Sequence, residues 1–345
     1  MNEPTIEQTI NRAIQYGKSS LNLSKYNLTE IPRSILKIKD LEYLDLSNNN
    51  ITIIPDFIWD LPKLKILDLN KNKLKSLPDL TLLTSLKSLD IGYNEIEKLP
   101  DLTGLANLRK LNISGNKLKS LPDLSGLTNL ESLDISYNQI EKLPDLNRLT
   151  NLNELYINNN IIKFLTDLSE LTNLRKLDIS HNKIKTLPNS IGTLQTLEQL
   201  KANNNFLKTL PNSFQNLTRI YNLDLSNNKF KYIPSPIKYL FNLRYLYINN
   251  NNIKSIPHWI CSLINLHILS LNNNQIQYLP QIIPNLIASE KLYKLDLSNN
   301  LIMNIPDQLL EIKYKRDELR IEKNLININN SKNKGKIPKY IKYKY

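Results

Sequence analysis

The sequence predicts an α/β solenoid with a parallel β-sheet on its concave face and short helices or 3₁₀ turns on its convex face. Three observations lead there. One phrase, LxxLxLxxNxL, recurs thirteen times between Leu41 and Ile326 of the 345-residue chain. Its Asn returns at intervals of 23, then five of 22, four of 23, then 26 and 24 residues, a period that marks stacked supersecondary units. Within each copy apolar and polar residues alternate as in a strand with one buried face, while Pro and Gly break the segments between copies.

The first element is a cap. Pro4 to Tyr16 places Ile6, Ile10, Ala13 and Ile14 at helical spacing, with Gly17 as the stop. Residues 1–17 therefore read as a helical cap over the first strand, Leu21–Leu23, whose copy has Tyr26 where the Asn belongs. The solenoid itself is expected over residues 18–327, because a terminal repeat without a cover would expose its core.

The repeats come next. In Leu130–Ile140 (LESLDISYNQI) Leu133 and Ile135 point inward and Ser132, Asp134 and Ser136 outward. Asn138 stands where the chain must turn while buried, and its amide can both donate to and accept from backbone groups that water cannot reach. The same role is assigned to Asn49, Asn72, Asn94, Asn116, Asn160, Asn182, Asn205, Asn228, Asn251, Asn274 and Asn300, with a degraded copy at Asn324. Two linker types follow one another. The 22-residue repeats from Leu86 to Ile184 carry linkers such as LPDLSGLTNL (Leu121–Leu130), too short and too broken for a helix. From Leu197 the repeats are 23 long, with linkers such as LPNSIGTLQTL (Leu187–Leu197), where Pro188 precedes a short helical turn. Pro306 to Tyr314 reads as a longer helix. Residues 328–345 close the chain as a basic, disordered tail, since Ser331 to Tyr345 hold six Lys and no acid.

Composition sets the class. Hydrophobic content of 41% is ample for a continuous core, and no apolar run approaches 18 residues, so no membrane span is expected. No leader or lipidation motif is read at either end. Cys261 stands alone, which points to a reducing, cytoplasmic setting without disulfides. The richness in Ile, Lys, Asn and Tyr beside seven Gly matches AT-rich genomes such as those of intracellular bacteria or large DNA viruses, for which the host cytosol is the corresponding setting. A net charge of +13 allows weak polyanion contact through 331–345, or a tail that only solubilises the last repeat. A monomer is expected.

These motifs resemble the leucine-rich-repeat superfamily, whose horseshoe fold has its sheet on the concave side, across about residues 18–327. The LPDLSGLTNL linkers and their 22-residue spacing are similar to internalins and phosphatase-regulatory proteins. The LPNSIGTL type is similar to cytosolic Ras-signalling scaffolds and bacterial effectors. The resemblance implies protein–protein interaction on the concave face, without catalysis. It leaves open a regulatory subunit of an enzyme such as a phosphatase, or an effector-like protein that acts on a host. The ubiquitin-ligase effectors of the superfamily add a large catalytic domain with a nucleophilic Cys. Here Cys261 lies in a repeat linker.

Candidate sites come from columns of outward residues. The central column reads Asp45, Asp68, Asp90, Asn112, Asp134, Tyr156, Asp178, Lys201, Asp224, Tyr247, Ser270, Asp296, Arg320. Neighbouring carboxylates such as Asp68 and Asp90 would lie about 5 Å apart, a separation used by retaining glycosidases. A recurring Asp followed two residues on by Ser is instead consensus structure. The breaks carry more information. Tyr156, Lys201 and Tyr247, with Tyr221, Asn222, Arg244, Tyr245, His267 and Tyr293 around them, supply the residue types enriched in interface hot spots. They read as a partner-binding patch, or as drift in a Tyr-rich composition. A second column three residues after each Asn includes Lys163, Lys185, Lys208, Lys231 and Lys254. It reads as a solvated edge or as steering for an acidic protein. His181, His258 and His267 have no partners at metal spacing, and no phosphate-cradling Gly loop is present. No catalytic residue, metal or cofactor is assigned.

Overall fold

The computed structural model of the protein describes residues 5–281, 283, 286, 291–306, 318–325 and 341–342. The chain forms two compact units, Met1–Leu174 and Arg175–Tyr345. Each is a stack of short parallel strands with no cis peptide among the described residues.

The first unit opens on helix α1, Ile6–Gln15. Thr5 caps it: its hydroxyl accepts the Gln8 N–H, and the Gln8 side chain accepts the Thr5 N–H, a reciprocal arrangement that satisfies two orphan donors. Gly17, at φ +56°, ends the turn. Ile10 and Ala13 are buried, and the Thr9 hydroxyl meets that of Tyr26 at 2.8 Å, so the irregular Tyr26 anchors the helix. Seven strands follow: β1 Ser20–Asn22, β2 Tyr43–Asp45, β3 Ile66–Asp68, β4 Ser88–Asp90, β5 Lys110–Asn112, β6 Ser132–Asp134 and β7 Glu154–Tyr156. Leu21, Leu44, Leu67, Leu89, Leu111, Leu133 and Leu155 stand in one register, and all are buried.

The second unit repeats the pattern in β8 Lys176–Asp178, β9 Gln199–Lys201, β10 Asn222–Asp224, β11 Tyr245–Tyr247, β12 Ile268–Ser270, β13 Lys294–Asp296, β14 Glu318–Arg320 and β15 Ile341–Lys342. β15 lies within the segment read from sequence as a disordered tail, and it pairs in parallel with Leu319 and Arg320. Its two residues have ladder partners that the composition of the tail does not reveal. The rest of that tail, and the helix expected after Pro306, lie outside the described residues.

Strands of three residues end where the Asn begins its work. The Asn138 amide donates to the carbonyls of Ile113 (3.0 Å), Ile135 (3.2 Å) and Ser136 (3.1 Å), and its Oδ1 accepts the Leu118 N–H at 3.0 Å. Asn72, Asn228 and Asn274 do the same in their own repeats. One side chain thereby ties two repeats together and pairs three buried carbonyls and one N–H. The residue before each of these Asn has positive φ, from Asn48 at 55° to Lys323 at 55°. Asn and Gly tolerate that region best, which accounts for the Asn doublets at 48–49, 159–160, 204–205, 227–228, 250–251, 273–274 and 299–300.

Opposite the strands the two linker types differ. Pro32, Pro55, Pro188, Pro211, Pro234 and Pro257 each start a five-residue 3₁₀ turn, with Ile35, Ile58, Ile191, Phe214, Ile237 and Ile260 turned into the core. The pyrrolidine ring presets an extended entry and lacks the N–H that would go unused. Trp59 and Trp259 sit half-buried in such turns, while the adjacent Ile58 and Ile260 fill the core. In the shorter linkers Asp79, Asp101, Asp123, Asp145 and Asp167 instead accept the N–H two residues on, closing Asx turns. These N–H groups hold the carboxyls of Asp79 and Asp101 below the usual carboxylate range. A β-carbon on Gly126 would lie 2.4 Å from the Thr103 carbonyl oxygen, so glycine allows this one linker its close approach, while Leu82, Arg148 and Glu170 fill the same slot in other short linkers.

Asn138→Ala removes the amide and leaves several buried backbone groups unpaired, at about 1–3 kcal/mol for each group. Leu133→Ala opens a cavity in a closed core and is expected to cost about 2–5 kcal/mol. Urea unfolding followed by circular dichroism should show both losses; parent-like midpoints would contradict the register. Tyr137, at φ 53° and 53% exposed, offers the opposite test. Tyr137→Asn should raise stability by about 0.5–1 kcal/mol, since Asn meets the left-handed region at lower cost.

Candidate partner-binding surface

The Asp column on the strand face is built into the repeat. Asp134 Oδ1 accepts both the Ser136 N–H (2.9 Å) and the Ser136 hydroxyl (2.6 Å). The same pair of bonds recurs at Asp178 with Ser180, Asp224 with Ser226 and Asp296 with Ser298. Asp45 is 8% exposed and accepts the Ser47 N–H. Each carboxylate thus closes the strand end and has little capacity left for chemistry.

Asp90 shows how a missing Ser is replaced. Gly92 stands in the Ser position, and a β-carbon there would lie 2.8 Å from the Asn70 amide nitrogen. The Asn70 amide uses that space to reach Asp90 Oδ1 at 3.1 Å, Gly92 N–H reaches the same oxygen at 2.9 Å, and the Asn112 amide donates to Oδ2 at 2.9 Å. Asp68 is less favourably placed. Burial pushes its carboxyl up to about 6, the Asn70 N–H pulls it back, and the charges of Asp90 and Asp45 add to the rise. Asp68 and Asp90 are therefore neighbours with different environments: Asp68 accepts an N–H of its own repeat, while Asp90 also draws side-chain amides from the repeats on both sides.

A folded-state pKa raised above the unfolded value means that the native state holds the proton more tightly. Stability from this group is fully present below about pH 4 and is lost as pH rises through about 6. Asp68→Asn keeps an oxygen for the Asn70 N–H and removes the buried charge. The variant should be more stable than the parent at pH 7.5, by on the order of 1 kcal/mol, and the difference should vanish near pH 4. Urea midpoints across this range test the sign; a gap constant with pH would show that the Asp68 charge is not the cause.

The breaks in the column fall as follows. Lys201 Nζ lies 3.7 Å from Asp178 Oδ2, so this cation belongs to the column it interrupts. In the second unit three rings form a chain over adjacent strands. Tyr245 and His267 have centroids 5.8 Å apart and tilted by 54°, and His267 meets Tyr293 edge-on at 5.9 Å, both within the favoured range for aromatic pairs. His267 Nδ1 donates to the Asn265 carbonyl at 2.7 Å, which fixes the ring between the two tyrosines. The Gln199 amide donates to the Tyr221 hydroxyl. Asn222 and Tyr245 are ladder partners, as are Asp224 and Tyr247. Burial, then the charge of Asp224, raises the Tyr247 phenol above its ordinary value. Arg244 is exposed beside them. Tyr156 ends β7 in the first unit, half-buried, in register with Asp134.

Electrostatics set this part of the chain apart. Residues 201–289 contain eight Lys or Arg and a single acid, Asp224, whose carboxylate is occupied by Ser226. Sequence reading followed columns and passed over this regional imbalance, although a count of charges along the chain exposes it. It also passed over the left-handed residue before each Asn, for which the Asn doublets were the signal.

Other chemistry is sparse. Among the described residues no group of three or more His, Cys, Asp or Glu side chains could hold a metal ion, and no helix is long and apolar enough to cross a membrane. Burial raises the thiol pKa of Cys261, against a lowering by the Leu286 N–H, the opposite of an activated nucleophile.

A family model described as a leucine-rich repeat region matches residues 19–120; one for leucine-rich repeats in two copies matches 106–148, 128–172 and 241–284; a third leucine-rich-repeat model matches 172–230. The chain belongs to the leucine-rich-repeat family. Among solved structures it is similar to a leucine-rich-repeat protein of Leptospira interrogans, with 26% identity, full coverage of both chains and a TM-score of 0.78. It is similar also to YopM, a leucine-rich effector protein from Yersinia pestis, with 26% identity over 98% of this chain and 92% of that one and a TM-score of 0.74. An internalin of Listeria monocytogenes matches with 28% identity over 86% and 89% of the two chains and a TM-score of 0.71. No curated protein matches the chain significantly.

Proposed function

We propose that the protein is a non-catalytic interaction module that grips a partner protein on the strand face of its second unit, and that it works in the cytoplasm as a monomeric scaffold. One observation carries the reading. Where the preceding repeat spends Asp224 on closing its strand, Tyr247 places an aromatic ring, flanked by the Tyr245–His267–Tyr293 chain. Large, rigid aromatic side chains bury much area at low entropic cost and dominate binding energy at interfaces. Short strands in fixed register hold them on one face. Asn222, Tyr221, Arg244 and Lys201 border the rings and supply polar contacts, and Tyr156 offers an aromatic contact on the first unit. The lone Cys261 supports the reducing setting.

An effector-like role is the second reading, favoured by the similarity over most of both chains to a leucine-rich effector protein of Yersinia pestis. Its partner would then be a host protein bound through the same face. The regulatory subunit of an enzyme such as a phosphatase would use the same surface.

Tyr247→Ala is the discriminating variant. Once a partner has been captured, calorimetry should show a loss of about 2 kcal/mol or more for this central anchor, with the urea midpoint little changed because the ring is half-exposed. Asp45→Ala is unsuitable as the control, since the buried Asp45 carboxylate closes its strand. Lys110→Ala, exposed on β5, is the matched surface change and should bind like the parent. Equal affinities for both variants would place the partner elsewhere.

A further inference from the structure

A second surface lies away from the strand face, where the chain leaves Asn205 and Asn228 and heads for the 3₁₀ turns. Between these two repeats opens a cavity of about 720 Å³, within the roughly 300–1,000 Å³ range of ligand pockets. Lys208, Lys229 and Lys231 stand at its rim with Tyr232, above a floor that includes Pro234 and Pro236. The three lysines are exposed, and none forms an ion pair among the described residues. Tyr232 is 63% exposed, a large apolar ring left on the surface.

The cavity lies at the end of an outer ladder. Beyond it a second, looser ladder joins successive repeats: Lys254 N–H donates to Lys231 O (3.3 Å), Gln277 N–H to Lys254 O (3.4 Å) and Met303 N–H to Gln277 O (3.4 Å). Ser255 and Tyr278 complete a parallel bridge there. No such bond joins Lys231 to Lys208, or any earlier pair of this column, among the described residues, and the cavity lies at the step where the outer ladder stops.

We propose that this cavity docks an extended acidic segment of a protein partner, seating one apolar side chain between Tyr232 and the prolines while its carboxylates pair with Lys208, Lys229 and Lys231. Charge complementarity identifies the occupant. The lysines lie within a stretch of eight cations and one acid, so an acidic chain is steered to them and other basic surfaces are turned away. The floor selects peptide over nucleic acid. Pro234 and Pro236 offer no N–H to a phosphate and lie beside Leu210 and Ile233, with Tyr232 as the one aromatic ring of the lining, whereas single-stranded nucleic acid relies on successive stacking rings. The site is independent of the strand-face rings and stands or falls separately from them.

The test uses the full chain and fluorescein-labelled decapeptides of Asp and Glu with a central Leu or Phe, measured by fluorescence anisotropy at low and physiological salt. Binding should require both features: peptides with Asn and Gln in place of the acids, or with a central Gly, should bind about tenfold more weakly or worse. The double variant Lys208→Glu, Lys231→Glu and the single variants Lys229→Gln and Tyr232→Ala should each weaken binding by about tenfold. Lys254→Glu, next in the same column but outside the cavity, should change it by less than about twofold, and Tyr247→Ala should leave it unchanged. Thermal unfolding of each variant verifies its fold, and Lys229→Gln keeps the test alive if the charge-reversal pair does not fold. No detectable peptide binding would overturn the proposal. So would indifference to the central residue, an equal loss with Lys254→Glu, or tighter binding of a single-stranded oligonucleotide.

Discussion

From Asn49 to Asn300 each repeat depends on one buried amide. A chain that turns sharply beneath a stack of neighbours must pair its turn carbonyls and N–H groups without water, and a side chain that both donates and accepts does this at a single position. Asn138 reaches carbonyls in its own repeat and in the one before, while accepting an N–H from the loop beside it. An aliphatic residue would leave these groups unpaired, and a carboxylate would lack the donor. From this follow the three-residue strands, the fixed parallel register and the left-handed residue that brings the Asn into place.

Fixed register turns the strand face into columns, and columns make exceptions visible. A carboxylate followed by Ser two residues on is consumed in closing its own strand, so the acidic column carries structure and little free charge. Where that device is abandoned, as at Tyr247, the position carries an aromatic ring in place of a strand-closing carboxylate. Asp90 shows the reverse case: the strand-closing Ser is gone, and neighbouring Asn amides converge on the carboxylate through the space left by Gly92. The stability of the stack and its freedom to bind are therefore decided at the same positions by different residues.

The face opposite the strands solves a different problem. Asx turns and close glycine contacts suffice for the shorter linkers, whereas a proline-started 3₁₀ turn brings one extra apolar side chain inward in the longer ones. The second solution leaves more irregular walls between repeats. One of them opens beside Lys208 and Lys231, where the loose outer ladder fails to form. Basic residues gathered in this part of the chain give that opening a chemical character that the shorter linkers, with Asp in each turn, do not share.

Much was legible in the amino-acid order. Period, strand positions, the Asn ladder, the capping helix and the structural nature of the Asp-x-Ser pairs all follow from local rules repeated many times, and repetition averages away the ambiguity of any one copy. Side-chain pairings were decided only by tertiary structure, because they join residues about 23 positions apart through the geometry of stacking. Lys201 reads as a free cation in sequence, yet it pairs with Asp178 one strand away. Tyr245, His267 and Tyr293 are separate letters until adjacent strands bring their rings within 6 Å. Ile341 and Lys342 sit in a segment whose composition reads as disordered, but β14 offers them an unpaired edge. The cavity at Lys208 and Lys231 lies at the step where the outer backbone ladder stops, between two repeats that look alike in sequence. Local propensity specifies what each repeat is; the distances between repeats decide which side chains meet.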